Sequence, residues 1–234
     1  MNLLVTAGPT REMLDPVRFL SNRSTGKMGF AVASAAACHG HNVRLIAGPV
    51  SLATPVGTTR IDVVSALEML AAVEANLDWC DALVMTAAVA DFRPRHTSAQ
   101  KLKKSGMAPV IELEPNPDIL KTIAPRKGKK IFVGFAAETE KLLAEAQRKL
   151  AAKKLDLLVA NDVSQPDAGF EVDTNRVVFI TPDDGSPGGL ALPLMLKSEV
   201  AEHIIAWLEA KGRNYNTPYS FFTNQRLATG SSVK

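Results

Sequence analysis

Cysteine, histidine and aromatic side chains are scarce in this sequence, and each scarcity removes a class of explanation. Cys38 and Cys80 are the only cysteines in 234 residues, so neither a disulfide framework nor a zinc site is expected, and a reducing cytosol fits best. The histidines, His39, His41, His96 and His203, show no spacing that suggests a relay or a metal cluster. No serine lies in G-x-S-x-G, so hydrolase chemistry lacks support. No apolar run approaches the ~18 residues needed to span a bilayer. The opening MNLLVTAGPT is already strand-like, without a basic leader or a cleavage site. The expectation is a soluble, cytoplasmic protein with no membrane partner. Charge of one sign is also lacking: Lys and Arg number 27 against 24 for Asp and Glu, too small an excess to imply nucleic-acid binding.

Two nucleotide fingerprints are missing as well. Gly8 and Lys27 are too far apart for a G-x-x-x-x-G-K-[ST] loop, and no G-x-G-x-x-G follows the first strand-like run. What the sequence does contain is an apolar content of 46%, enough to bury a proper core. It is arranged as short apolar runs with helix-like segments between them, the pattern of an α/β fold with a parallel sheet covered on both faces.

Strands are expected at Leu3 to Ala7, Asn42 to Ala47, Ala82 to Thr86, Val110 to Leu113, Ile131 to Phe135 and Leu155 to Ala160. Helices are expected over Gly26 to His39, from an N-cap at Ser65 with Glu68 completing a capping box, over Pro117 to Ala124, and over Glu140 to Lys154. In the second of these, Leu67, Leu70, Ala71 and Val73 line one face. Arg93 to Met107 reads as a basic loop or lid. Arg176 to Ile180 and Leu190 to Leu194 read as a late antiparallel ribbon, followed by a helix over Ser198 to Ala210. Residues 1–210 form one domain on this reading, and the tail, 211–234, is polar apart from Phe221-Phe222 and is expected to be poorly ordered or held by a partner.

In a parallel sheet, ligands gather outside the carboxyl ends of the strands. Here the residues that follow the strands are Gly8-Pro9-Thr10, Ala87 to Phe92 with Asp91 among them, Ala136 to Thr139, and Asn161-Asp162. Each is a common turn residue taken alone; four such loops together indicate a site. Ser21 to Gly29 places hydroxyls and glycines where a helix opens, a natural anion site, with a simple Ser24-Thr25 helix cap as the plainer reading. Lysines gather at 101, 103 and 104, at 127, 129 and 130 beside Arg126, and at 149, 153 and 154. Such knots are ordinarily solvated faces; polyanionic small molecules are their functional alternative. Lys149 and Lys153 stand four apart on one helix face and can meet the same polyanion.

These segments, in this order, resemble the phosphopantothenoylcysteine synthetases, and the likeness is to the bacterial, CTP-using branch. Gly8 to Glu12 with Asp15 to Arg18 and Ser21 to Gly29 resembles the first signature, Ala87 to Phe92 the second, and Lys101 to Lys104 the third. Asn116 to Ile119, Gly134 to Thr139 and Asn161 to Val163 complete the series, and the match runs from Leu3 to about Leu208.

The resemblance implies a three-layer fold joining Rossmann-like and ribokinase-like features, with a mostly parallel mixed sheet. It implies a ligase of coenzyme A biosynthesis: 4'-phosphopantothenate is activated by CTP, with magnesium, to an acyl-cytidylate and pyrophosphate, and L-cysteine then displaces CMP. Asn22 is similar to the asparagine that holds the acyl intermediate, and Lys101 to the catalytic lysine near the α-phosphate. Met85, Thr86, Ala87, Asp91, Pro117, Asp118, Ile119, Leu120, Phe135, Lys149 and Lys153 fall where the family contacts nucleotide, and Ala88 belongs to the same small-residue loop. A homodimer is implied, with Asn175 to Leu194 as the candidate contact ribbon. The family's bacterial members mostly carry a flavin-dependent decarboxylase ahead of this unit. The chain is therefore expected to be a stand-alone synthetase or an excised domain, without FMN and with a decarboxylase encoded elsewhere as a candidate partner. ATP stays open as the nucleotide. The competing readings are an NAD(P)-dependent reductase, opposed by the missing dinucleotide fingerprint, and a non-catalytic nucleotide-binding module, opposed by the presence of Asn22, Asp91 and Lys101 together.

Overall fold

The computed structural model describes residues 1–103, 110–138, 142–162, 169, 171–182 and 189–213. The first half contains β1 (Asn2–Ala7), β2 (Arg11–Met13), β3 (Phe19–Ser21), α1 (Lys27–Cys38), β4 (Asn42–Ala47), β5 (Thr58–Asp62), α2 (Ala66–Asn76), β6 (Ala82–Met85) and β7 (Phe92–Pro94). Then come β8 (Leu113–Pro115), α3 (Ile119–Ile123), β9 (Ile131–Glu138), α4 (Leu142–Lys153) and β10 (Leu157–Asp162). The last part holds β11 (Thr174–Asn175), β12 (Val177–Ile180), β13 (Leu190–Ala191), β14 (Met195–Leu196) and α5 (Lys197–Gly212).

Eight strands form the central sheet in the order β13-β12-β10-β9-β6-β1-β4-β5. From β10 to β5 all neighbours pair in parallel, and β12 and β13 add to the β10 edge antiparallel. The sheet is thus mostly parallel and mixed, as the resemblance implies. Alternation along β1 shows why it is central: Leu3, Val5 and Ala7 join the core beneath α1 and α5, while Leu4 joins the core beneath α2, α3 and α4. Both faces are covered, so from Leu3 to Ala7 the strand is apolar except for the buried Thr6.

Several local expectations shift. In α2 the Ser65 hydroxyl accepts from the Glu68 N–H at 3.2 Å, as a capping box requires, but the Glu68 carboxylate reaches back to the Val64 N–H at 2.8 Å instead of its own cap residue. The buried stripe of α2 is Ala66, Met69, Val73 and Asn76: of the expected face Val73 is buried and Leu70 packs against the core, but Leu67 and Ala71 are exposed. Apolar character placed Leu67 inward, yet the helix start, fixed by Ser65, turns it to solvent. The strand expected at Val110 to Leu113 lies at Leu113–Pro115, and Asp118, with its side chain accepting from the Lys121 N–H, caps α3 so that Pro117 precedes the helix. Of the expected tail, 211–234, residues 214–234 lie outside those described, and α5 continues into its start, through Gly212.

Helices α1 and α5 lie side by side, and a charged clasp closes one end of the pair. His39 places Nε2 2.8 Å from Glu202 Oε2 and Nδ1 3.2 Å from Glu209 Oε1; His41 Nε2 shares Glu209 Oε1 at 3.1 Å. The Glu202 carboxylate, ahead of Glu209, raises the His39 pKa, whereas burial lowers that of His41. A raised folded-state pKa means that the stabilisation by His39 is complete below the unfolded value of about 6.5 and is lost as pH rises through the folded value. His39→Gln should therefore flatten the decline of the thermal midpoint above about pH 6.5, measured by scanning both proteins across that range. An unchanged slope in the variant would remove His39 from the clasp.

Candidate functional site

The loops after β1 and β6 meet over the carboxyl ends of the strands and are zipped together. Pro9 and Ala88 form an isolated parallel bridge, with Ala88 N–H donating to Gly8 O at 2.9 Å and Thr10 N–H to Ala88 O at 3.3 Å. Threonines stitch the same seam: the Thr86 hydroxyl donates to Thr6 O at 2.6 Å, and the Ala90 N–H donates to Thr10 Oγ1 at 3.0 Å. The buried Thr6 hydroxyl accepts from the Ala87 N–H at 3.3 Å, and with Thr10, both at 0% exposure, it satisfies backbone groups that leave the sheet ladder just where the site begins.

Helix α1 packs against this seam through Gly29. A Cβ there would collide with Thr86 Oγ1, come within 2.5 Å of the Ala7 Cβ and lie 2.9 Å from Thr6 O. Gly29→Ala must push the helix away from β1 and β6. The expected cost is about 1–3 kcal/mol, the usual penalty for overpacking, read from urea unfolding; a neutral substitution would show that the helix can move freely. At its start, α1 is capped by Gly26 at φ +80, with no side-chain cap bond, so neither Ser24 nor Thr25 is its cap. Its first turn thus takes no side-chain cap, which leaves N–H groups of the kind that favour an anion.

A cavity of about 400 Å³ opens beside this seam, lined by Met85, Thr86, Ala87, Ala88, Asp91, Pro117, Asp118, Ile119, Leu120, Phe135, Lys149 and Lys153. Every residue expected to contact nucleotide, Lys101 apart, thus borders one space. Lys153 Nζ lies 3.0 Å from Asp118 Oδ2, which draws the amino terminus of α3 towards α4. The cavity also includes Val89, Ala90, Asn116 and Ala136, which the sequence placed in site-forming loops or signatures without giving any of them a contact of its own. Asn116 is the informative one. Its amide donates to Ala90 O at 2.9 Å, its N–H to Asp91 O at 2.8 Å, and its oxygen accepts from Arg93 at 3.0 Å. It fixes the loop that carries Asp91, and its place directly before Pro117-Asp118 was the available signal.

Asn22 and Lys101 stand outside the lining. Asn22 is exposed, and its amide donates to Ala88 O at 3.0 Å, so the side chain reaches over the same loop. Lys101 is exposed too, but its chain is not loose. The Leu102 N–H donates to Asp15 Oδ2 at 3.1 Å, and Arg18 Nη2 donates to Leu102 O at 2.9 Å. Asp15, at 0% exposure, also accepts from the Arg18 side chain and from the N–H groups of Val17 and Arg18, both at 2.8 Å. The Arg18 guanidinium, with these N–H groups, holds the Asp15 carboxyl far below the usual carboxylate range against the opposing effect of desolvation. Upstream, Thr97 Oγ1 donates to Met13 O and Ser98 N–H to Leu14 O, each at 3.0 Å. The basic segment therefore begins pinned to the β2–β3 ribbon.

The model for the DNA/pantothenate metabolism flavoprotein C-terminal domain matches residues 1–211. The coenzyme A biosynthesis bifunctional protein CoaBC of Bacillus subtilis (strain 168) is 48% identical over 210 residues, covering 89% of this chain and 51% of the relative. That of Escherichia coli (strain K12) is 46% identical over 209 residues, covering 88% and 50%. This chain spans about half the length of those two relatives. Among solved structures, the C-terminal domain of a CoaBC protein superposes with a TM-score of 0.77 at 39% identity, covering 91% of this chain and 98% of that one. Among the described residues, no helix is long and apolar enough to cross a membrane.

Proposed function

The chain belongs to the DNA/pantothenate metabolism flavoprotein C-terminal domain family, and on that premise we propose that it is a cytoplasmic phosphopantothenate–cysteine ligase of coenzyme A biosynthesis. The observation that carries the reading is the single 400 Å³ cavity that gathers the β6 loop, the α3 amino terminus and the two lysines of α4.

A carboxylate is a poor acyl donor. In the proposed reaction the phosphopantothenate carboxylate oxygen attacks the α-phosphorus of CTP and pyrophosphate leaves; the cysteine nitrogen then bonds to the acyl carbon and CMP leaves with the electron pair of the C–O bond. The two protons shed by the cysteine ammonium pass to water. Lys149 and Lys153 offer positive charge to the polyphosphate. Lys101 offsets charge at the α-phosphate as the first bond forms. The Asn22 amide gives one N–H to Ala88 O and has a second with which to polarise the acyl carbonyl. Magnesium carried by a triphosphate keeps several waters and takes one or two carboxylates; Asp91, exposed and lining the cavity, is the residue suited to that contact.

We further propose a homodimer. The suggested contact ribbon is no free arm, since β12 pairs with β10 and β13 with β12, so it presents the outer edge of the main sheet. Sedimentation equilibrium tests this, and a monomer at micromolar concentration would end it. The function is tested by pyrophosphate release with CTP, magnesium and 4'-phosphopantothenate, with and without L-cysteine, and again with ATP. Release that requires phosphopantothenate, with CMP and amide after cysteine, is the expected result. No release with either nucleotide from folded protein would favour a non-catalytic binding module.

A further inference from the structure

A second concave surface lies where α1 and α5 begin. It is a groove of about 610 Å³, within the range of roughly 300–1,000 Å³ typical of pockets that hold ligands. Phe30 of α1 lines it, with Leu52, Pro55 and Val56 of the loop between β4 and β5 and Leu196 at the start of α5. Val56 is 95% exposed and Leu196 49%. A single exposed apolar side chain is ordinary; an apolar cluster on a fixed frame marks a contact surface. The frame here is fixed. The Arg60 guanidinium donates to Leu52 O at 2.8 Å and stands 5.4 Å from the centre of the Phe30 ring, and the Thr58 hydroxyl donates to Pro55 O at 2.7 Å. The lining is therefore in place before anything binds, which lowers the ordering cost of binding.

The chain contains a segment of matching chemistry. Residues 214–234 follow α5 and lie outside those described, and the family match ends at residue 211. The segment has no Asp or Glu and is rich in Asn, Ser and Thr. Yet both tyrosines of the chain, Tyr215 and Tyr219, and two of its nine phenylalanines, Phe221 and Phe222, fall within it. Solvated polar segments are poor in aromatics, so this cluster is suited to an apolar surface.

The reach also agrees. Helix α5 begins at the groove with Lys197 and ends at Gly212, where a Cβ would lie 3.1 Å from Met1 Sδ, beside the start of β1. Its 16 residues span about 24 Å. An extended chain covers that distance in about seven or eight residues, at about 3.3 Å each. Counted from Arg213, such a return arrives at Ser220 or Phe221.

We propose that the groove is the docking site of this chain's own C-terminal segment, with Phe221 and Phe222 as its anchors. The segment then runs back along the α1–α5 pair and straps it to the β4–β5 loop. The proposal is independent of the ligase reading. A second copy of the chain is the competing occupant, but a segment tethered one helix length away meets the groove at a high effective concentration that a separate chain lacks.

The full chain carrying p-benzoylphenylalanine in place of Phe221 or Phe222 tests the occupant. Irradiation should give cross-links within one chain to residues 52–56 or 196–198, mapped by peptide mass spectrometry, at a yield unchanged by dilution. Cross-links elsewhere in the chain, between two chains, or none at all overturn the proposal. Chymotrypsin gives an independent reading on natural side chains. Val56→Asp places a charge against the docked rings, at a position so exposed that the core is untouched. Cleavage after Tyr219, Phe221 or Phe222, followed by intact mass, should be about tenfold faster in that variant than in the wild type, because proteolysis tracks the undocked population. Equal rates would show that the segment does not rest in the groove.

Discussion

Lys101→Gln should lower the rate of ligation by about 100-fold or more, the range found when a preorganised charge or donor is removed from a developing oxyanion. Glutamine keeps length and polarity but loses the charge, and Lys101 is solvent-exposed, so the thermal midpoint should not move. The loss should fall on pyrophosphate release, the step at which negative charge builds on the α-phosphate. Asn22→Ala should behave differently. Its amide is proposed to act on the acyl carbonyl, so removing it should slow consumption of the acyl-nucleotide and let that species accumulate when the reaction is quenched before completion. Full activity in Lys101→Gln would leave Lys101 as a solvated surface lysine. Accumulation in the lysine variant and none in the asparagine variant would reverse the two roles.

The centre of the sheet was legible from the sequence because its strands are buried on both faces and therefore read as apolar runs, Ala82 to Met85 without a break and Leu3 to Ala7 broken only by Thr6. The short ribbons were not. Strands of three residues such as Arg11–Met13 and Phe92–Pro94 are too brief to show alternation, and β5, Thr58–Asp62, is a polar edge strand. The lining of the large cavity came from motif order, not from periodicity, and the fold brings those motifs to one end of the sheet. What motif order could not reveal were the partners. Asp15 and Arg18 appear in the sequence only as part of a signature, and nothing in their spacing says that they reach Leu102, more than eighty residues away. Likewise, that the buried side-chain oxygens of Asn161 and Asn175 find no hydrogen-bond partner among the described residues is visible only once burial is known.

That long-range grip leads to the second large effect. Asp15→Asn should release the segment around Lys101, with at least a tenfold fall in ligation rate, because an amide replaces a carboxylate that accepts from Arg18, Val17 and Leu102 together. A carboxamide has one oxygen and an amino group that would face N–H donors, so at least one of these bonds is lost and the Arg18 guanidinium loses its counter-charge. Arg18→Lys makes the same test with the carboxylate retained, since an ammonium cannot span Asp15 and the Leu102 carbonyl as the guanidinium fork does. A purely structural role for the pair would lower activity only in step with unfolding. A positioning role predicts something further: trypsin should cut after Lys101 or Lys103 faster in both variants, at temperatures where circular dichroism shows them folded. The acid response supplies an independent check. Because Arg18 depresses the folded-state pKa of Asp15, its stabilisation is complete above the ordinary carboxylate value of about 4 and is lost as pH falls below it. Asp15→Asn should therefore be less sensitive to acid than the wild type below about pH 4, though less stable at neutral pH. Wild-type rates of tryptic cleavage, together with an unaltered acid profile, would show that Leu102 is held by something other than this pair, and that Lys101 is positioned without it.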